Sequence, residues 1–354
     1  MRKSSLPGDP SLTFSGIVGK TYAAESFPKE DYVIDGSRYD SEGNWAFCRF
    51  ESDEVYAARM GFEKGGFNIT EKQLSTDKAL LQLHLELMTR DGAVLWLPTG
   101  TFDADALISD SEQMDIRLSH EGRDIFSISG WPRMNWHFQS VEGDAEANLD
   151  FTLQNVTVLP DCILPHCVFS MWETMGDVGG FVRFKDRKIE VSGKVFFDHP
   201  RIINQRNNVV PRHLYLYTTM YFEDGSGIFG YHAEDKSGKP LSYYCFGIHI
   251  DPLNQGKFLA DADMQELKFD ENNLPASWRL EWADRDYRID LEVTVKPATL
   301  LQSWGSTLAP KTLKDFIILP LILDGTVSVR TKGGGKTLRG YGLAEYFNVD
   351  YWDV

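Results

Sequence analysis

Two adjacent residues, Asp198 and His199, carry side chains that are suited to acid–base chemistry. They follow residues 191–197, whose alternation is typical of a β-strand, and successive strand residues point to opposite faces. One of the two can therefore act as an acid, a base or a hydrogen-bond donor to a substrate carbonyl while the other faces elsewhere. A structural role is the alternative, through a hydrogen bond between domains or an ion pair with Arg201, and the sequence leaves both open.

Glu173 is a second candidate acid, because it lies between bulky apolar residues that include Trp172 and Met175. A carboxyl group in such surroundings tends to keep its proton near neutral pH and can donate it or form a hydrogen bond. The alternative is an exposed glutamate on a loop whose tryptophan packs inward. Asp198, His199 and Glu173 are the predicted catalytic residues.

The predicted substrate-binding residues are mainly aromatic, because tryptophan and tyrosine combine an apolar wall with a polar tip. The set is Trp45, Trp172, Tyr217, Tyr231, Glu345 and Tyr346. Ordinary packing at alternate strand positions is the alternative for each aromatic residue. For the last pair it would place Tyr346 in a core and Glu345 in solvent.

Alternating apolar and polar residues dominate the chain and predict an all-β fold with few short helices. Residues 81–87 alternate Leu with Gln, His and Glu, and 278–282 and 287–295 predict a hairpin. Helical periodicity is confined to 103–109 and 260–267, which are expected to be short helices. These strands must position the candidate residues.

The chain also contains a repeat. Residues 45–62 and 213–232 each give a strand, an acidic turn and a second strand, while 191–198 and 338–347 each give a strand with a central glycine and an acid near its end. The repeat predicts two β-barrel domains, 41–200 and 201–354, joined near 200–212 and preceded by an N-terminal arm, 1–40. A ligand cleft is expected where barrels meet.

Composition and charge exclude several classes of partner. The formal charge of −16 disfavours nucleic acid and anionic membrane surfaces. There is no apolar stretch long enough for a signal peptide or a membrane span, so a cytoplasmic protein is predicted. The expected partner is a hydrophobic small-molecule substrate, and the expected state is a monomer or homodimer.

No cofactor is expected. Cys162, His166 and Cys167 lie close together, but no second pair with metal-ligand spacing accompanies them. The glycines at 333–335 have the wrong spacing for a phosphate loop and predict a hairpin tip. There is no Gly-x-Ser-x-Gly motif, no recognisable Cys/His pairing and no dinucleotide fingerprint, so covalent acyl transfer and nucleotide cofactors have no support.

The run 191–199, Val-Ser-Gly-Lys-Val-Phe-Phe-Asp-His, resembles the signature of the carotenoid 1,2-hydratase (hydroxyneurosporene synthase) superfamily. Residues 340–345, Gly-Tyr-Gly-Leu-Ala-Glu, are similar to its closing pattern, and 45–47 to its opening strand. The resemblance implies two lipocalin-like β-barrel domains side by side, without metal or organic cofactor. It implies hydration of polyene ends or cyclisation in natural-product biosynthesis, as by the superfamily's Diels–Alderases.

Two departures from that pattern bear on the chemistry. Arg201 stands where similar hydratases carry tryptophan, and Ala233 stands where they carry an acid. Because protonating an unactivated alkene needs a well-placed acid, these departures favour cyclisation. The sequence thus predicts a cofactor-independent, Diels–Alderase-like cyclase of a large apolar polyene or polyketide-type intermediate. A hydratase or isomerase using Asp198 and His199, and a non-catalytic lipocalin-like binding protein, are the alternatives.

Overall fold

A computed structural model describes most of the chain. The described residues are 21–28, 31–32, 41–65, 67–68, 73–74, 80–90, 94–96, 101–103, 106–110, 112–141, 143–159, 162–163, 168–184, 186–203, 214–235, 237–241, 245–271, 274–283, 287–296 and 316–349. The chain divides into two compact units. The first unit comprises Met1–Leu87 and Leu95–Asn208, and the second comprises Met88–Val94 and Val209–Val354.

The sheet of the first unit is antiparallel. Its strands are β1 (Thr21–Ala23), β2 (Ser41–Phe50), β3 (Ala57–Gly65), β6 (Leu80–Met88), β7 (Val94–Trp96), β8 (Thr101–Asp103), β9 (Leu107–Asp110), β10 (Asp115–His120), β11 (Arg123–Ser129), β12 (Arg133–Gln139), β13 (Ala145–Val158), β14 (Cys162–Ile163), β15 (Val168–Phe184) and β16 (Arg187–Ile203). The main path runs β7-β6-β3-β2-β16-β15-β13-β12-β11-β10-β9. A separate two-stranded sheet joins β4 (Phe67–Asn68) and β5 (Gln73–Leu74).

The sheet of the second unit is also antiparallel. Its strands are β17 (Leu214–Phe222), β18 (Gly227–Glu234), β19 (Phe246–Ile250), β20 (Gly256–Leu259), β21 (Asp263–Phe269), β22 (Pro275–Ala283), β23 (Tyr287–Val295), β24 (Phe316–Thr331) and β25 (Gly334–Val349). They follow the order β20-β19-β18-β17-β25-β24-β23-β22-β21. The tip of the β24–β25 hairpin includes Gly333, and Gly334 and Gly335 begin β25, so the predicted hairpin tip is found.

The predicted all-β fold class is confirmed, since each sheet curls into an antiparallel half-barrel of the two-domain lipocalin-like fold. Alternation explains how these sequences form strands with one buried face. In β12, Met134, Trp136 and Phe138 are buried and belong to the core of the first unit, while Arg133 is exposed. Burying one such large side chain contributes about 1.5–3 kcal/mol, which fixes the face that each strand turns inward.

The expectation of short helices at 103–109 and 260–267 was wrong. Leu107–Asp110 forms β9 and Asp263–Phe269 forms β21, and each is the last strand at one end of its sheet path. Both segments mix charged and apolar residues without a clear period, so hydrogen bonds from the neighbouring strand decide the conformation. The described helical element is a 3-10 turn at Ala24–Ser26.

The two units are built on one shared frame, in which the last long strand pairs with the opening strand. In the first unit β16 pairs with β2, and the backbone nitrogen of Glu51 donates to the carbonyl of Ser192 at 2.8 Å. In the second unit β25 pairs with β17, and Glu223 makes the corresponding bond to Arg339 at 3.0 Å. The openings and closings that repeat in the sequence therefore form the same pairing in both units.

The central glycines of the closing strands have a steric reason. Gly193 and Gly340 each pair with the phenylalanine that ends the opening strand. A Cβ atom on Gly193 would lie 1.9 Å from the Arg49 carbonyl oxygen, and one on Gly340 would lie 2.3 Å from that of Tyr221. Side chains do not fit at such separations, so glycine lets the closing strand approach the opening strand.

The N-terminal segment 21–32 is part of the first unit's packing. Its strand β1 pairs with β13, and Phe27 and Tyr32 belong to the hydrophobic core. The Tyr32 ring stacks on Trp131 with centroids 4.2 Å apart, and the Trp131 indole donates to the Ala24 carbonyl at 2.7 Å. This part of the predicted arm is therefore anchored by aromatic contacts. The predicted domain boundaries themselves remain predictions.

In the part of the chain that the structure describes, no helix has the length and apolar character that crossing a membrane requires.

Candidate active site

Asp198 and His199 point to opposite faces of β16, as their alternation predicts. Phe197 lies two residues before His199 and therefore on the same face, and it belongs to the core of the first unit. Phe196, on the Asp198 face, is buried but lies outside that core cluster. The structure therefore does not bring the side chains of Asp198 and His199 together, and they lie in different surroundings.

Asp198 lies in a row with two other predicted site residues, on the face of the sheet opposite the core. It pairs directly with Glu173 on β15 and with Trp45 on β2. Glu173 is 0% exposed and Asp198 is 7% exposed. Side chains on directly paired strand positions have Cβ atoms about 4.5–5.5 Å apart, so the two carboxyl groups are close neighbours. We call Trp45, Asp198 and Glu173 the acid row.

Apolar side chains flank the two carboxyl groups of the acid row along their strands. Met171 and Met175 flank Glu173 along β15, and Phe196 flanks Asp198 along β16. All three side chains are buried. The two carboxyl groups therefore lie side by side where little water reaches them.

Sequence reasoning missed a buried ion pair beside this row. Arg59 Nη1 lies 3.4 Å from Glu86 Oε2, both side chains are buried, and the Arg59 guanidinium lies 4.9 Å from the Trp45 ring centre. Glu86 belongs to the polar side of the alternating strand 81–87, and the alternation predicts that this side faces solvent. The burial of Glu86 comes from the tertiary structure, and the alternation of the sequence alone could not have predicted it.

His199 belongs to a buried cluster on the core side of the first unit. Its Nε2 lies 2.9 Å from Glu42 Oε1, and Arg201 Nε donates to the same oxygen at 2.7 Å. Arg201 Nη1 also donates to Asp31 Oδ1 at 3.2 Å. We call Asp31, Glu42, His199 and Arg201 the inner cluster.

The inner cluster holds its imidazole neutral. Burial lowers the pKa of His199, and this desolvation outweighs the hydrogen bond to Glu42, which favours the protonated form. Arg201, held between two carboxylates, also opposes a second positive charge. Through its contacts with Asp31 and Glu42, Arg201 joins the segment 21–32 to strands β2 and β16.

Trp172 lies with the inner cluster and not with the acid row. It pairs with His199, its ring centre is 5.2 Å from the imidazole, and its indole nitrogen donates to the Asp31 carbonyl at 2.6 Å. Trp172 is fully buried in the core of the first unit. This position favours a role in core packing, which was the alternative to substrate binding.

Three predicted residues of the second unit form another row. Tyr217 on β17 pairs with Tyr231 on β18 and with Glu345 on β25. The two phenol rings are 4.6 Å apart, and Tyr231 stacks on Phe246 at 4.5 Å. All three are buried. We call Tyr231, Tyr217 and Glu345 the phenol row.

Tyr346 lies on the opposite face from Glu345, within the hydrophobic core of the second unit. Tyr346 thus has the core position that was the alternative to substrate binding. Glu345 is 8% exposed, so it does not have the solvated position that accompanied that alternative.

Among the described residues, no group of three or more His, Cys, Asp or Glu side chains is arranged to hold a metal ion. Cys162 begins β14, while His166 and Cys167 lie outside the described residues. The expectation that the protein needs no cofactor stays a prediction.

Comparison with known proteins supports the fold. No protein-family model and no curated protein matches the sequence. The solved structure of a protein assigned as AttH from Nitrosomonas europaea aligns with 91% of this chain and 96% of its own, at 11% identity and a TM-score of 0.62. At that identity the likeness shows the fold alone.

Two further solved structures align over most of their length at lower scores. Kievitone hydratase from Nectria haematococca covers 97% of this chain and 98% of its own, at 10% identity and a TM-score of 0.48. CghA covers 94% and 93%, at 10% identity and a TM-score of 0.48. Scores this low support no conclusion about this chain.

Proposed function

We propose that the protein is a cofactor-independent enzyme that folds a large apolar polyene or polyketide-type substrate for intramolecular ring formation at the acid row. The observation that supports this is the direct pairing of two buried carboxyl groups, Asp198 and Glu173, beside Trp45. Two like charges on paired positions repel, and burial disfavours each charge, so the pair is suited to hold one proton between them.

A carboxyl group that keeps its proton can donate a hydrogen bond to a conjugated carbonyl. As the ring forms, charge develops on the carbonyl oxygen, and a fixed donor stabilises it without solvent reorganisation. Holding a flexible chain in a reactive conformation can supply about 7–11 kcal/mol of the barrier. Ring formation therefore needs little beyond the shape of an apolar surface and one such donor.

The apolar residues around the acid row fit this substrate class. Trp45 offers a ring face on the same side of the sheet as the carboxyl pair, and methionines such as Met171 and Met175 adapt to irregular apolar shapes. The phenol row also combines aromatic rings with an acid, so it is a further candidate for substrate contact.

A hydratase or isomerase is the second candidate, and the same carboxyl pair favours it. In this alternative Asp198 would protonate an alkene, and its neighbour Glu173 would take a proton from water or from the substrate. The pairing makes Glu173 the partner, in place of the His199 that the sequence suggested, because the imidazole lies on the other face.

The deciding experiment follows product mass and turnover against pH. Any apolar compound that co-purifies with the protein is identified by mass spectrometry, and linear polyene or polyketide-type precursors are incubated with the wild type, Asp198→Asn and Glu173→Gln. A mass-neutral ring product supports the cyclase, and a gain of water supports the hydratase. Recovery of every candidate precursor unchanged would contradict both and favour a binding protein.

The variants separate the two chemistries. If a hydrogen bond to developing charge is the main contribution, each variant should lose about 1–3 kcal/mol of transition-state stabilisation with a flat pH profile. If proton transfer is required, the loss should be about 10²–10⁴-fold and depend on pH. Asp177→Asn changes an exposed acid further along β15 and is the control.

A further inference from the structure

The second unit contains a histidine whose two ring nitrogens face a carboxyl group and a thiol. His232 Nε2 lies 2.9 Å from Glu234 Oε1, and His232 Nδ1 lies 3.7 Å from Cys245 Sγ. His232 is 0% exposed, Cys245 is 2% exposed, and the Glu234 side chain is 21% exposed. These three side chains come from β18 and from the residue just before β19.

The hydrogen-bond chemistry assigns a direction to this chain of contacts. A carboxylate only accepts hydrogen bonds, so the Nε2 atom of a neutral His232 carries the proton that bonds to Glu234. The Nδ1 atom then holds the lone pair and accepts from the Cys245 thiol. The Ala233 carbonyl, 3.5 Å from the same sulfur, is a competing acceptor for the thiol hydrogen. This order of nucleophile, base and carboxylate is the one found in catalytic triads.

The fold does not require these polar residues. In the shared frame, Trp45 and Tyr217 occupy equivalent positions on the opening strands. The residues just before them, Asn44 and Leu216, are therefore equivalent as well. Asn44 pairs with Phe62, whereas Leu216 pairs with His232. The first unit therefore fills the position of His232 with a buried phenylalanine of its core, so packing alone does not call for an imidazole there.

We propose that Cys245, His232 and Glu234 form a covalent binding site for a small α,β-unsaturated carbonyl compound. The thiol is the nucleophile, the imidazole is the base, and the carboxylate orients the imidazole. The site lies within the second unit and does not depend on the proposed activity of the acid row.

The reaction balances without another reagent. His232 Nδ1 takes the thiol proton while the sulfur bonds to the β-carbon of the alkene, and the π electrons move to the carbonyl oxygen as an enolate. The imidazolium then returns the proton to the α-carbon. One S–H bond and one carbon–carbon π bond are replaced by S–C and C–H bonds, and no leaving group or oxidant is needed.

The surroundings select this class of electrophile. Cys245 belongs to the hydrophobic core of the second unit, with Leu216, Leu259 and Tyr346 in the same cluster, so a neutral, compact compound is favoured over a charged one. Burial raises the pKa of the Cys245 thiol, so the resting group is S–H and the base must act during attack.

The test measures alkylation by N-ethylmaleimide, a small conjugated carbonyl compound, on the folded full-length protein. Peptide mass spectrometry reports each cysteine separately. Cys48 is the internal control, because it is also a free, fully buried thiol whose pKa burial raises, and no hydrogen bond from its sulfur to a histidine is found among the described residues. Cys245 should react roughly 10²-fold faster than Cys48, the size of a general-base contribution. Equal rates would overturn the proposal.

Two variants show whether the histidine is responsible. His232→Phe installs the residue type of the equivalent position in the first unit and should reduce the Cys245 rate to near that of Cys48. Glu234→Gln, which keeps the size of the side chain, should reduce it roughly tenfold. Should His232→Phe unfold the second unit, shown by a reduced circular-dichroism signal or a lost thermal transition, the milder variant decides. An unchanged Cys245 rate in folded Glu234→Gln would then count against the proposal.

Discussion

The two units share one frame but place different chemistry on it. Asp198 pairs with Trp45 in the first unit, and Glu345 pairs with Tyr217 at the equivalent position in the second. On the other side of each acid, the first unit has a second buried acid, whereas Pro320 pairs with Glu345 in the second unit. An acid at this position is thus common to both units, but the pair of acids is particular to the first.

The units also differ in how they use a buried imidazole held by a glutamate. His199 and His232 each have Nε2 at 2.9 Å from a carboxyl oxygen. In the first unit Arg201 shares that carboxylate, whereas in the second unit the other imidazole nitrogen faces the Cys245 thiol. We therefore expect the neighbours of such a pair to decide whether it serves stability or reactivity.

The largest effect is expected when the arginine of the inner cluster is removed. Arg201→Leu leaves two buried carboxylates without their cation and should lower the free energy of unfolding by about 3–5 kcal/mol. Urea unfolding followed by circular dichroism measures the change. Arg279→Leu, which removes an exposed ion pair with Asp290 in the second unit, is the control and should cost below about 1 kcal/mol. Similar losses in both variants would show that the inner cluster contributes little to stability.

The acid row and the phenol row can be compared through their equivalent acids. If the pair of carboxyl groups performs proton transfer, Asp198→Asn should reduce turnover by about 10²–10⁴-fold. Glu345→Gln should reduce it by less, about tenfold, as expected for one hydrogen bond. Steady-state turnover of both variants on the same substrate gives the ratio. A greater loss in Glu345→Gln would transfer the main chemical role to the second unit.

The shared frame predicts equal sensitivity at its two close approaches. A Cβ atom on Gly193 would meet the Arg49 carbonyl oxygen at 1.9 Å, and one on Gly340 would meet that of Tyr221 at 2.3 Å. Alanine at either position should therefore destabilise by about 1–3 kcal/mol through overpacking. Gly179→Ala is the control, since its nearest contact would be 3.9 Å. Thermal unfolding of the three variants would refute the equivalence if only one close position were sensitive.

The smallest predicted effect concerns pH and the second unit. Burial lowers the pKa of His249 to about 4, so the unfolded chain, with an ordinary histidine, binds its proton first as the pH falls. Stability from this residue is therefore complete above its unfolded pKa and decreases below it, by about 0.7 kcal/mol between pH 7 and pH 6.

Urea unfolding at both pH values measures this change. Substitution by glutamine, His249→Gln, should remove that share of the pH dependence and leave the contribution of His199 in place. An identical pH dependence in the variant would show that His249 titrates normally in the folded protein.

Much of the fold followed from local pattern. Alternation placed the strands and assigned Asp198 and His199 to opposite faces, because the side-chain period of a strand is fixed at two. The sequence likewise determined the shared frame, since the same number of residues separates Gly193 from Asp198 and Gly340 from Glu345. These features depend on neighbouring residues and on close backbone approach, which a sequence displays directly.

Tertiary structure alone decided which polar residues are buried and which of them meet. Glu86 lies on the polar side of its strand and is nevertheless buried, and Asp31 returns from the N-terminal segment to bind Arg201. The contact of His232 with Cys245 depends on the register of β18 against β19, and a shift by one residue would turn every side chain to the other face. Alternation specifies two faces for each strand, but only the folded chain determines what covers each face and which side chain lies opposite.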